Sequence, residues 1–148
     1  MNKVIIIGLG AWGTNFLRII KNLPSKYKLV GLVDPLLDSR NSHNFLSLEN
    51  FLKSNIDFDA AIITTPATTH FEITKKLLTL KKHCLVEKPL TTSSKESFEL
   101  YEIAKKNKVK LLVDHTFLYD PALKYVLNKL KNKFLGELLH ISFERTNL

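Results

Sequence analysis

The segment Val4–Ile7 followed by Gly8-x-Gly10-x-x-Gly13 constrains this chain more than any other part of it. Four consecutive β-branched residues suit a strand buried on both faces. From Ala11 to about Asn22 the apolar residues Phe16, Leu17, Ile19 and Ile20 recur at helical spacing, and Pro24 stops the pattern. Each glycine between them has a mechanical job in a dinucleotide-binding turn. Gly8 allows the tight turn, Gly10 lets a pyrophosphate approach the backbone, and Gly13 lets helix and strand pack closely. The helix start at Ala11 and Trp12 offers unpaired N–H groups and a positive dipole end to phosphates. Asp34 closes the next apolar run, Leu29–Val33, 21 residues after Gly13. A carboxylate there accepts hydrogen bonds from ribose hydroxyls, and its charge favours NAD over NADP by repelling a 2′-phosphate. Arg40 follows closely; it is either an exposed loop arginine or a residue that accommodates that phosphate. Two other readings stand beside this one. The glycines could only shape a turn in another α/β protein. A methyltransferase that binds S-adenosylmethionine also uses a glycine-rich turn and a second-strand acid, although the motifs further along argue against it.

The rest of the chain repeats the alternation. Pro35–Asn44 is polar and reads as a loop, and Leu46–Leu52 suits a short helix. Ala60–Ile63 predicts a third strand running into Thr64-Thr65-Pro66. Thr69-x-x-Glu72 reads as a capping box that opens a helix with Ile73, Leu77 and Leu80 inward. Cys84–Val86 is a fourth strand, ending at Glu87-Lys88-Pro89. Ser93-x-x-Glu96 is a second capping box, before Phe98, Tyr101 and Ala104. Leu111–Val113 is a fifth strand leading to Asp114-His115, and Asp120-Pro121 is an N-cap and first-turn pair for a further helix. Strands alternating with helices in this way predict an α/β chain with a doubly wound parallel sheet of Rossmann type. Leu139, Ile141 and Phe143 break the pattern. They alternate with His140, Ser142 and Glu144, as in a strand with one wet face from an antiparallel sheet. The expected organisation is a dinucleotide-binding domain over residues 1–136, with 137–148 opening a second domain that is otherwise missing.

Charge and cysteine usage narrow the alternatives. The chain of 148 residues carries 22 basic against 14 acidic side chains, a net charge of +8. Nineteen of the basic residues are lysines, scattered near the ends of expected helices, where cations complement the dipole. No arginine-rich or aromatic-interleaved basic stretch points to nucleic acid. Cys84 stands alone, so neither an internal disulfide nor a multi-thiolate metal site is expected. The early apolar run is far shorter than the ~20 residues that span a bilayer. A reducing, cytoplasmic setting is expected, with no membrane partner.

The motifs together resemble the glucose–fructose oxidoreductase, inositol dehydrogenase and MocA family. Gly8-Leu9-Gly10-Ala11-Trp12-Gly13-Thr14-Asn15 resembles its opening, and Thr65-Pro66-Ala67-Thr68-Thr69-His70 its Thr-Pro…His signature. Glu87-Lys88-Pro89 matches its most specific motif. The run His115–Ala122 is similar to the segment before its next helix. Gly136-Glu137 and Glu144–Leu148 are similar to the start of the second domain in members that act on nucleotide sugars. The resemblance implies hydride transfer between a nicotinamide and a sugar carbon. It implies that Lys88 lies near the nicotinamide and the substrate hydroxyl, where a cation stabilises a developing alkoxide and passes protons. Without its flanking Glu and Pro, Lys88 would read as an exposed strand-end lysine. Glu87 would position Lys88 or the cofactor, and the turn Thr64-Thr65-Pro66 would let the chain pass close to the ribose. His70 reads equally as structural or functional. His115, past the fifth strand, is either a contact to nicotinamide or substrate or a packed polar residue. Trp12 either lines the cofactor cleft or simply packs.

The resemblance also implies a second domain, a large antiparallel sheet with an Asp-x-x-x-His motif whose His acts as general acid and base. That motif does not occur after Arg145. The expectation is therefore a chain that binds NAD and lacks efficient hydride transfer alone. A stand-alone NAD-binding or sensing module, paired with a separate substrate domain, is the competing expectation. An interaction protein that lost the cofactor is a third, against which Gly8, Gly10, Gly13 and Asp34 count. The apolar edge at Leu139–Phe143 adds the expectation of a homo-oligomer formed through it.

Overall fold

The computed structural model describes residues 1–38, 41–134 and 136–144. The chain divides into two compact units, Met1–Asp114 and His115–Leu148. The sequence-based boundary at 136 counted the helix after His115 with the sheet.

In the first unit the apolar run at the N-terminus forms β1 (Asn2–Ile7), followed by α1 (Ala11–Lys21) and β2 (Tyr27–Val33). Then come β3 (Asn44–Phe45), α2 (Leu48–Lys53), β4 (Ala60–Ile63), α3 (Ala67–Thr79), β5 (His83–Glu87), α4 (Ser94–Asn107) and β6 (Leu111–Asp114). The six strands make one sheet in the order β3-β2-β1-β4-β5-β6, and every ladder is parallel. The expected doubly wound sheet is thus present, with one strand more than the sequence suggested. Asn44 and Phe45 pair with Leu32 and Val33 although Asn44 ends a polar stretch. Two residues are too short a segment to show any period, so only the ladder identifies them.

Strand alternation distributes the core. Ile5 and Ile7 point to the face covered by α2, α3 and α4, where they meet Phe51, Leu77, Leu78 and Leu100. Val4 and Ile6 point to the other face and meet Ile20, with Phe16 and Leu17 of α1 against them. Each such side chain contributes roughly 1.5–3 kcal/mol on burial. Phe51 is fully buried and meets Phe45 and Phe58 edge-on. On the α1 face a groove of about 330 Å³ runs past Phe16, Leu23, Leu85 and Leu112. No helix of the first unit is long and apolar enough to cross a membrane, nor is any other among the described residues.

Two capping expectations change. The helix expected to open at Thr69 begins at Ala67 with Pro66 as its cap, and the Thr69 hydroxyl turns back to donate to Pro66 O at 2.8 Å, with Thr65 Oγ1 2.7 Å away. Ser93 does cap α4, but its side chain makes no capping bond.

The second unit holds a 3-10 turn, Thr116–Tyr119, and α5 (Pro121–Lys131). Asp120 caps α5 as expected, accepting from Ala122 N and Leu123 N at 2.8 and 3.1 Å. The strand expected over Leu139–Phe143 is not formed. The segment lies outside any ladder and exposes Leu139, Ile141 and Phe143. A strand needs a neighbour to take up its N–H and C=O groups, and the alternation of side chains alone supplies none. Arg40 and the residues 145–148 lie outside the described residues.

Candidate functional site

Because all ladders are parallel, the carboxyl ends of β1, β2, β4, β5 and β6 lie along one edge of the sheet. Crossovers run one way from β1 to β2 and β3 and the other way to β4, β5 and β6. The edge between β1 and β4 is therefore the switch point at which ligands bind in open α/β sheets.

The turn after β1 is built by close approach. Gly8 sits at φ +91°, a left-handed conformation that favours glycine. Its amide donates to Val33 O at 2.8 Å, and its carbonyl accepts the Thr64 hydroxyl at 2.6 Å. A Cβ on Gly8 would stand 2.8 Å from Thr65 N, and one on Gly13 would stand 2.0 Å from Gly8 O. Neither position has room for a side chain. Gly10 is the opposite case, with nothing within 4 Å of an added Cβ. Its backbone faces open space at the start of α1. That helix has no side-chain cap and no acid in its first turn, so its positive end stays uncompensated. Ala11 and Trp12 open the helix, both exposed, and Trp12 keeps 48% of its surface.

Asp34, one residue past β2, reaches the same turn. Its Oδ2 accepts from Leu9 N at 2.7 Å and its Oδ1 from Leu36 N at 2.9 Å. Each oxygen keeps a lone pair for a hydroxyl donor. Glycine turn, bare helix start and strand-end carboxylate fit a nucleotide whose phosphates lie over Gly10 and whose ribose meets Asp34.

Past β4, Thr65 and Pro66 begin the turn into α3. His70, on the first turns of that helix, is 1% exposed. Its Nδ1 lies 2.9 Å from Pro89 O and its Nε2 lies 2.8 Å from Thr65 O. The ring is fully engaged by backbone and joins two of the loops on this edge.

Past β5, Lys88 is exposed and linked to Pro89 by a cis peptide bond. Glu87, by contrast, is buried. Its Oε2 accepts from Lys88 N at 3.1 Å, and its Oε1 is buried with no donor among the described residues. Across the ladder Glu87 pairs with Asp114 of β6. Burial first, and then the neighbouring Asp114 carboxyl, push Glu87 above its ordinary value of 4.5, against a smaller opposing pull from Lys88. His115 follows Asp114 directly in the chain, is exposed, and begins the second unit.

The sequence reading missed Asp114 as a member of this edge. The signal was available, since two adjacent strands each end on an acid. Thr64, in the turn expected to pass close to the ribose, also closes β4 onto the glycine turn through its hydroxyl.

Known proteins resemble this chain in sequence and in fold. The dTDP-3,4-didehydro-2,6-dideoxy-alpha-D-glucose 3-reductase of Actinomadura kijaniata is 33% identical over 82 residues, covering 55% of this chain and 25% of that protein. The UDP-N-acetylglucosamine 3-dehydrogenase of Acidithiobacillus ferrooxidans is 33% identical over 70 residues, covering 47% of this chain and 22% of that protein. The WlbA dehydrogenase of Bordetella pertussis, solved with NADH and UDP-GlcNAcA, superposes with a TM-score of 0.83 at 20% identity, over 90% of this chain and 43% of that one. That likeness is one of fold. The chain spans about a quarter to less than half the length of the curated relatives it matches. Residues 2–115 match the model of the GFO_IDH_MocA oxidoreductases with an NAD-binding Rossmann fold, and the chain belongs to that family.

Proposed function

We propose that the chain binds NAD along the β1–β4 edge and serves as the cofactor-binding part of an oxidoreductase acting on a sugar or nucleotide sugar. The observation that carries this is the turn in which Gly8 and Gly13 exclude side chains, Gly10 stands open, and Asp34 is fastened to Leu9. In this reading Gly8, Gly10, Ala11, Trp12 and Gly13 cradle the pyrophosphate and Asp34 receives the ribose hydroxyls. Thr65 and Pro66 form the neighbouring wall, held by His70. The bound nicotinamide supplies or takes up the hydride. Lys88, exposed at the end of β5, holds positive charge beside the substrate oxygen and carries its proton. Glu87 fixes the Lys88 backbone. His115, one residue past β6, is proposed as a contact to the nicotinamide or the substrate.

The preference for NAD over NADP follows from the Asp34 charge, which disfavours a 2′-phosphate. A cytoplasmic setting, where thiols stay reduced, suits the unpaired Cys84. Residues 137–144 are proposed as the lead into a further sheet, which would cover the exposed Leu139, Ile141 and Phe143, either within one protein or between copies.

Calorimetric titration with NAD and NADP tests the reading. One saturable site with NAD the tighter ligand supports it; no saturable binding, or NADP the tighter ligand, overturns it. A turnover assay with UDP-sugars separates the two modes of action. Losing a positioned acid or base costs ~10²–10⁴-fold in rate, so robust NAD reduction by this chain alone would contradict the need for a further domain.

A further inference from the structure

The His70 side chain makes two contacts that one neutral imidazole cannot satisfy. Both ring nitrogens face backbone carbonyl oxygens, Pro89 O at 2.9 Å and Thr65 O at 2.8 Å. A carbonyl oxygen only accepts, whereas a neutral imidazole has a single N–H. In either neutral tautomer one ring lone pair would point at a carbonyl lone pair inside 3 Å. The ring is 1% exposed, so water does not fill the gap. Only the doubly protonated ring pairs with both partners.

The two carbonyls belong to different loops. Thr65 lies in the turn between β4 and α3, and Pro89 ends the Glu87-Lys88-Pro89 segment between β5 and α4. The ladder between β4 and β5 has its last pair at Ile63 and Val86. Beyond that pair His70 continues the connection with its side chain. The charged groups nearest in the chain to its partners are Glu87 and Lys88, while Thr64 and Thr65 on the β4 side are uncharged.

We propose that His70 is a positioning residue that locks the Thr65 turn to the Lys88–Pro89 segment, and that it does so with both ring nitrogens protonated. The lock fixes the backbone from which Lys88 projects. Its consequence for NAD rests on the functional reading above; the protonation of the ring does not.

Long-range ¹H–¹⁵N spectra of the full chain labelled with ¹⁵N-histidine test the ring directly. His70 is assigned through its own backbone resonances. Two protonated-type nitrogens with solvent-protected N–H signals are expected, and one unprotonated ring nitrogen overturns the proposal. Two variants then divide the lock. In His70→Gln the amide nitrogen stands near the place of Nε2 and keeps the Thr65 bond. In His70→Asn it stands near the place of Nδ1 and keeps the Pro89 bond. Each is expected to weaken NAD binding by about tenfold, the scale of one lost hydrogen bond, and His70→Ala by more. Wild-type affinity in all three overturns the positioning role. Should the variants fail to fold, the wild-type ring spectrum still decides. Should wild type bind no NAD, the functional reading falls while the spectrum still judges the lock.

Discussion

Asp34 Oδ2 and Leu9 N are 2.7 Å apart, so the acid after β2 and the glycine turn after β1 form one hydrogen-bonded unit. Removing the carboxylate loosens the turn and deletes the proposed ribose acceptor together. Asp34→Ala is expected to weaken NAD binding by about 10–100-fold, the range for a hydrogen bond to a charged group. NADP should lose less, because the repulsion goes with the charge. Parallel titrations of both cofactors measure the ratio; an unchanged ratio would remove Asp34 from cofactor choice.

Gly10 and Gly13 separate packing from binding. A methyl on Gly13 meets Gly8 O at 2.0 Å, while one on Gly10 meets nothing. Gly13→Ala should cost about 3 kcal/mol or more in stability. Gly10→Ala should stay within about 1 kcal/mol of wild type yet weaken NAD binding by crowding the phosphates. Urea unfolding of both variants, with NAD titration of Gly10→Ala, provides the contrast. Equal destabilisation of the two would refute the geometric argument.

Glu87 links the candidate site to pH. Its carboxyl lies above the ordinary 4.5, raised by burial and then by Asp114. The folded chain therefore holds this proton more tightly than the unfolded chain. The stability that the neutral carboxyl contributes is fully present below pH 4.5 and is lost as pH rises through the raised value. Glu87→Gln keeps the shape and never ionises. Its melting temperature should gain on wild type as pH rises from 4.5 into the neutral range. Melting curves across that range check it, and a constant gap at every pH would show that Glu87 titrates as an ordinary carboxyl.

Cys84 should be chemically silent in the folded chain. It is 3% exposed, and burial pushes its thiol up to about 12. Since the thiolate is the nucleophile, a disulfide reagent at pH 8 should label Cys84 only as fast as the sheet opens. Addition of denaturant should speed labelling in step with unfolding. Rapid labelling of the native chain would contradict the burial.

The parts legible in the sequence were those where one physical demand selects residue types over several positions. Val4–Ile7 had to be apolar on both faces, and the three glycines had to leave space. Asp120-Pro121 had to open a helix. The parts that escaped depend on partners far apart in the chain. Asn44 and Phe45 become a strand only because Leu32 and Val33 lie beside them. Thr69 looked like a cap by spacing, but its hydroxyl turns back to Thr65 and Pro66. His70 was ambiguous because its two partners, Thr65 O and Pro89 O, are backbone atoms whose positions no local pattern reveals. Leu139–Phe143 had the alternation of a strand and no neighbour to pair with.

Of the residues proposed for cofactor and substrate, Lys88 and Asp34 lie just past the final ladder pairs of their strands, while the sheet's cohesion sits behind them. Lys88 is exposed, so a change there carries little penalty to folding, whereas Asp34 also fastens the glycine turn through Leu9 N. Gly8, Gly13 and His70 differ, because backbone atoms crowd them on every side. A change at Lys88 is therefore screened by activity alone, and a change at Gly8, Gly13 or His70 is screened by folding first.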